Sequence, residues 1–139
     1  MRPETLGVIG LGAIGGSIAR QAKRAGVSRV LGWSPDTAER AAAAREGAVD
    51  DSPARAADVA RVADLLILAA PPAANLELLD TLVPLLRSGA LATDVSSVKR
   101  PIVQRAAAAQ LGERFAGSHP LAGTHRRGFD ADRSRCEQA

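Results

Sequence analysis

Short apolar runs alternate along this chain with longer stretches in which apolar residues recur at helical spacing. Thr5-Leu6-Gly7-Val8-Ile9 reads as a buried strand that opens onto glycines and a helix from about Ala13 to Ala25, stopped by Gly26. Arg29-Val30-Leu31-Gly32-Trp33 predicts a second strand. Ser34-Pro35-Asp36-Thr37 then supplies turn and capping chemistry, and a helix runs from Thr37 to Glu46, ending at Gly47. Ala48-Val49 offers a short strand. Asp64 to Ala70 is apolar on both faces, as a central parallel strand covered by helices on each side would be. Pro71-Pro72 ends it, and the next helix carries Leu76, Leu79, Leu82 and Val83. Leu91 to Val95 predicts a further strand. The helix after it starts between Ser97 and Arg100, because Pro101 fits only a first turn, and it runs through Ala109. Arg114 to Gly117 reads as a last strand, left by Ser118-His119-Pro120.

Strand and helix in regular alternation predict an α/β architecture: a mainly parallel sheet, doubly wound, with helices on both faces. In such sheets a ligand lies outside the carboxyl ends of the strands. Gly10-Leu11-Gly12-Ala13-Ile14-Gly15 places G-x-G-x-x-G at one of those ends, directly after the first strand and opening the first helix, the Rossmann-type arrangement. Gly10 allows the tight turn, Gly12 lets the backbone approach a pyrophosphate, and Gly15 lets the helix pack on the strand. The amides at Ala13, Ile14 and Gly15 would receive the phosphate charge. Ser34 stands after the second strand, where NAD-binding folds usually carry an acid for the ribose; Pro71 stands after the third. A serine does not repel a 2′-phosphate. The cofactor is therefore NAD or NADP, with the missing acid favouring NADP, Asp36 able to reach back and Arg40 able to pair a phosphate.

Two further strand ends carry chemistry. Ser97 suits helix capping, substrate contact or both. His119 suits removal of a hydroxyl proton near neutrality, and spacing alone leaves a loop role equally open. His125 reads as a surface residue.

Composition narrows the partners. Of 139 residues, 46% are apolar and 24% charged, the balance of a globular chain. No apolar run approaches the ~18–20 residues that cross a bilayer, and Met1 to Leu6 lacks a signal-peptide layout. Cys136 is the single cysteine, so neither a disulfide framework nor a cysteine metal site is expected, which fits a cytoplasmic setting. No His, Asp or Glu spacing suggests a metal. The net charge of +3 comes from dispersed arginines, and with 2% aromatics and no tyrosine there are few rings to stack on bases. Neither nucleic acid nor membrane is expected as a partner.

Three strings occur in an order that resembles the prephenate/arogenate dehydrogenase family of tyrosine biosynthesis. They are Val8-Ile9-Gly10-Leu11-Gly12-Ala13-Ile14-Gly15-Gly16-Ser17, Thr93-Asp94-Val95-Ser96-Ser97-Val98-Lys99 and Gly117-Ser118-His119-Pro120-Leu121-Ala122-Gly123-Thr124. The first is shared with many dehydrogenases; the second and third are more specific. The resemblance covers about residues 5–128 and implies NAD(P)-dependent oxidative decarboxylation of prephenate or arogenate. It implies that His119 polarises or deprotonates the substrate hydroxyl, that Ser97 contacts the same region, and that Thr124 lies beside the substrate. His125 stands where family members often have an acid, and Ser96 where glycine is common. The family continues into a helical domain that forms a homodimer. The expected organisation here is a dinucleotide-binding domain at 1–123 and a poorly ordered tail at 124–139, with the chain read as truncated, frameshifted or a fragment. The alternatives are a non-catalytic dinucleotide-binding module and another small-substrate NAD(P) reductase.

Overall fold

A computed structural model of the chain describes residues 2–97, 99–109 and 114–117. Five strands, β1 (Thr5–Ile9), β2 (Arg29–Trp33), β3 (Leu65–Leu68), β4 (Leu91–Asp94) and β5 (Phe115–Gly117), form one sheet in the order β2-β1-β3-β4-β5. Every pairing is parallel, so all carboxyl ends lie along one edge. The α-helices are α1 (Ala13–Arg24), α2 (Thr37–Glu46), α3 (Ala56–Ala60), α4 (Pro72–Leu82) and α5 (Arg100–Ala108), and a single 3-10 turn at Val83–Leu85 follows α4.

Residues one apart on a strand face opposite ways, and two apolar cores result. Leu6 and Val8 of β1 and Ile67 of β3 bury with Ala19 of α1 and Ala43 of α2. Ile9, Leu66 and Leu68 bury on the other face with Val59 of α3, Leu79 and Leu82 of α4, and Ile102 and Ala106 of α5. The sheet is thus doubly wound, and the chain reverses direction between β1 and β3. That switch point is where an open α/β sheet has its crevice.

The helix ends follow from particular residues. At Gly26, with φ of +82°, the chain turns out of α1 while the Val27 amide bonds back to the Ala22 carbonyl at 3.1 Å. Pro72 and Pro101 both sit in first turns, where a missing N–H costs nothing.

Two local expectations change. Ala48-Val49 is a bend, not a strand; pairing beside β2 comes two residues later, where Leu31 bridges Asp51 and the Asp50 amide donates to the Val30 carbonyl at 2.7 Å. Ala48 and Val49 instead bury their side chains under α2. The five-residue α3 is too short to show a period in sequence. It packs Val59 where Gly7 of β1 has no side chain: a Cβ at Gly7 would come within 2.7 Å of Val59 Cγ1.

Candidate functional site

The carboxyl edge begins with the glycine turn. Gly10 has φ of +104°, a region L side chains avoid, and a Cβ there would stand 2.7 Å from the Ala69 carbonyl carbon and oxygen. Its amide donates to the Trp33 carbonyl at 2.7 Å, so the turn is wedged between the ends of β2 and β3. Gly15 is constrained still more tightly, since its Cβ would fall 1.7 Å from the Gly10 carbonyl oxygen. Gly12, the N-cap of α1, is the opposite case. A Cβ added there meets nothing within 4 Å among the described residues.

No side chain caps α1, and its first turn contains no acid. Gly16 makes the first bond back, its amide donating to the Gly12 carbonyl at 2.8 Å. The amides of Ala13, Ile14 and Gly15 precede it and have no intrahelical acceptor to reach. They face outward with the positive end of the helix dipole. This donor set fits a pyrophosphate: backbone amides, no carboxylate in the helix's first turn, and open space at Gly12.

At the end of β2, Ser34 is buried and its hydroxyl already has partners. Oγ donates to Glu39 Oε2 at 2.6 Å and accepts the Asp36 amide at 3.2 Å. Asp36 caps α2 by accepting the Ala38 amide at 2.8 Å. Arg40 Nη1 donates to the Pro53 carbonyl at 3.0 Å. An acid is therefore present beside Ser34, but it comes from the first turn of α2 and not from the strand end. Sequence reasoning missed it because the usual spacing points to the strand.

Between β3 and α5 a buried polar network shapes the edge. Asn75 of α4, fully buried, accepts the Ala70 amide at 3.2 Å through Oδ1. Its Nδ2 donates to Ser96 Oγ at 2.7 Å and reaches the Leu68 carbonyl at 3.4 Å. Asp94, also fully buried, accepts the Ser96 amide at 3.0 Å and the Lys99 ammonium at 2.7 Å, both on Oδ2. These bonds fix the loop on which Ser97 stands exposed. The signal for Asn75, a polar residue among the leucines of α4, was visible but has no motif around it. Pro71 is exposed at the start of α4, and its carbonyl accepts the Asn75 amide at 2.9 Å.

Gly12, Ala13, Ile14, Gly15, Ser34, Pro71 and Ser97 all stand at this one edge. β5 delivers the chain to it as well, since Gly117 pairs in register with Asp94. A Cβ at Gly117 would lie 3.3 Å from Lys99 Cδ. His119, Thr124 and His125 lie outside the described residues.

The opposite edge holds a cavity of about 330 Å³ lined by Arg2, Pro3, Glu4, Asp64, Leu65, Gly89 and Leu91. It sits at the amino ends of β1, β3 and β4, away from the glycine turn. Asp64 there accepts the Glu4 and Thr5 amides and pairs with Arg87, a structural use of its charge. Among the described residues, no three His, Cys, Asp or Glu side chains converge as metal ligands, and no helix is long and apolar enough to cross a membrane.

A parallel sheet wound on both faces, with a glycine turn opening an uncapped helix at its switch point, defines a Rossmann-type nucleotide-binding domain. Residues 18–136 match the family described as prephenate dehydrogenase, nucleotide-binding domain, and the chain belongs to that family. The match begins inside α1, so the glycine turn rests on its geometry. A prephenate dehydrogenase of Lactococcus lactis subsp. cremoris (strain MG1363) is 38% identical over 128 residues, covering 89% of this chain and 36% of its own length. The solved arogenate dehydrogenase of Synechocystis superposes with a TM-score of 0.83 at 35% identity, covering 91% of this chain and 44% of that one. The prephenate dehydrogenase of A. aeolicus, solved with hydroxyphenyl propionate and NAD+, gives a TM-score of 0.81 at 28% identity, covering 93% and 45%. The chain thus spans little more than a third of its curated relative's length and under half of the solved chains.

Proposed function

We propose that this domain holds NAD or NADP for the oxidative decarboxylation of prephenate or arogenate in tyrosine biosynthesis, in a cytoplasmic setting. The observation that carries the reading is the uncapped start of α1, where outward amides meet open space at Gly12. The A. aeolicus relative was solved in complex with hydroxyphenyl propionate and NAD+, which supports a dinucleotide and a ring acid as the ligands.

The nicotinamide, when bound, supplies the acceptor for the hydride that leaves the hydroxyl-bearing ring carbon. The chain's own residues position the ring and manage one proton. His119, two residues beyond β5, is assigned the hydroxyl proton, since an imidazole with an ordinary pKa of ~6.5 accepts protons near neutral pH. Ser97 and Thr124 are assigned to substrate contact. Loss of carbon dioxide makes the ring aromatic, so proximity and one general base account for the protein's part.

Calorimetric titration with NAD and NADP, followed by absorbance at the reduced-nicotinamide band with prephenate and then arogenate, tests the reading. Saturable binding with turnover of either acid is expected, and His119→Asn removes turnover while leaving binding intact. Absence of dinucleotide binding overturns the reading. The second reading is a dinucleotide-binding module without turnover, whose sign is saturable binding with no absorbance change.

A further inference from the structure

Resting on the dinucleotide reading, we propose that Glu39 makes this domain select NAD over NADP, by setting a carboxylate against the Ser34 hydroxyl beside the glycine turn. Location comes first. The bond from the Gly10 amide to the Trp33 carbonyl ties the end of β2 to the turn, so Ser34, the next residue, is adjacent to the phosphate cradle. This is the position from which a nucleotide's ribose is read in folds of this topology.

The hydroxyl's hydrogen-bonding capacity comes next. A serine has one hydrogen to donate, and that of Ser34 goes to Glu39 at 2.6 Å. None remains for a phosphate oxygen. The Asp36 amide uses an acceptor side of the same oxygen.

Charge then decides the preference. A 2′-phosphate brings up to two negative charges toward the Glu39 carboxylate, with Asp36 two residues from Ser34 adding to the repulsion. Of the groups that could offset this, Arg40 keeps its charge but has Nη1 held on the Pro53 carbonyl, away from the Ser34 hydroxyl's own partners, and the Ala38 amide at the start of α2 is bonded to Asp36. A ribose with a free 2′-hydroxyl meets the opposite situation, because it donates a hydrogen to a carboxylate and gains a charge-assisted bond. An acid in the first turn of α2 thus does what an acid at the strand end does elsewhere, and the uncharged Ser34 no longer argues for NADP.

Calorimetry on the whole chain tests this, with NAD and NADP titrated separately into wild type and Glu39→Gln. Glutamine keeps an oxygen to accept the Ser34 bond and removes the charge, so folding is preserved; a thermal melt checks it. Wild type is expected to bind NAD at least about tenfold tighter than NADP. Glu39→Gln is expected to bring the two within about threefold, chiefly by tightening NADP. In wild type alone, raising salt from about 20 mM to about 500 mM narrows the preference, because repulsion between partly exposed charges is screened. Equal affinities in wild type, a preference for NADP, or an unchanged ratio in Glu39→Gln overturns the assignment of Glu39 and leaves the dinucleotide site standing. Binding of neither nucleotide to wild type overturns both.

Discussion

Three glycines of one motif do three different things, and the difference is measurable. Gly15 has no room for a methyl group, because the obstacle is the backbone carbonyl of Gly10 and cannot rotate away. Gly15→Ala is expected to lose about 3 kcal/mol or more in urea unfolding, as overpacking against fixed atoms does. At Gly12 stability and binding separate. Aspartate is a favoured N-cap, and Gly12 has the extended backbone of an N-cap with a negative φ of −73°. Gly12→Asp should therefore keep or slightly raise the melting temperature while its carboxylate occupies the mouth of the cradle. Away from the site, Asp50 gives a pH signature. Burial pushes its carboxyl up, but the Lys23 ammonium, the Val30 amide and the Arg29 charge outweigh that and hold it below its ordinary 3.8. A lowered folded-state value stabilises the fold above 3.8, and that contribution is lost as pH falls through the folded value. Asp50→Asn should lower stability at pH 7 by less than about 1 kcal/mol, since the pair is partly exposed, and the gap should close in acid melts. A gap that persists at low pH would assign the effect to packing.

Among the elements, the joint between β3, α4 and β4 is the one to break. Asn75 holds the Ala70 amide, the Leu68 carbonyl and Ser96 at once, with no solvent to replace it. Asn75→Ala is expected to cost about 2–4 kcal/mol in denaturant unfolding, through unsatisfied groups and a cavity. Unchanged stability would mean that the loop carrying Ser97 is held by Asp94 and Lys99 alone. The elements that could be read from sequence were those with long period or strong punctuation: β1, with its glycines; β3, apolar on both faces; and α4 and α5, each with proline in the first turn. Those that could not be read depend on contacts distant in the chain. The α3 helix exists because Gly7 leaves a vacancy above β1, and the segment after α2 bends because Ala48 and Val49 have a core to fill. Neither cause is local, so no window of sequence contains it. The candidate site divides the same way. Gly10, Gly12 and Gly15 announce themselves by spacing, whereas Glu39 and Asn75 matter only through where α2 and α4 bring them.

At the scale of the whole molecule, parallel pairing in the order β2-β1-β3-β4-β5 puts every strand's carboxyl end on one edge and opens the crevice between β1 and β3. Alternating strands and helices foretold this much, because right-handed crossovers leave few other ways to bury strands that are apolar on both faces. The central claim is that the opening of α1 is a diphosphate cradle. It is tested most directly by titrating NAD into wild type and Gly12→Asp while recording the melting temperature of each. Saturable binding by wild type, with at least a hundredfold loss (about 2.7 kcal/mol) in a variant that melts no lower, is the expected result. Equal binding by the two proteins would contradict the account.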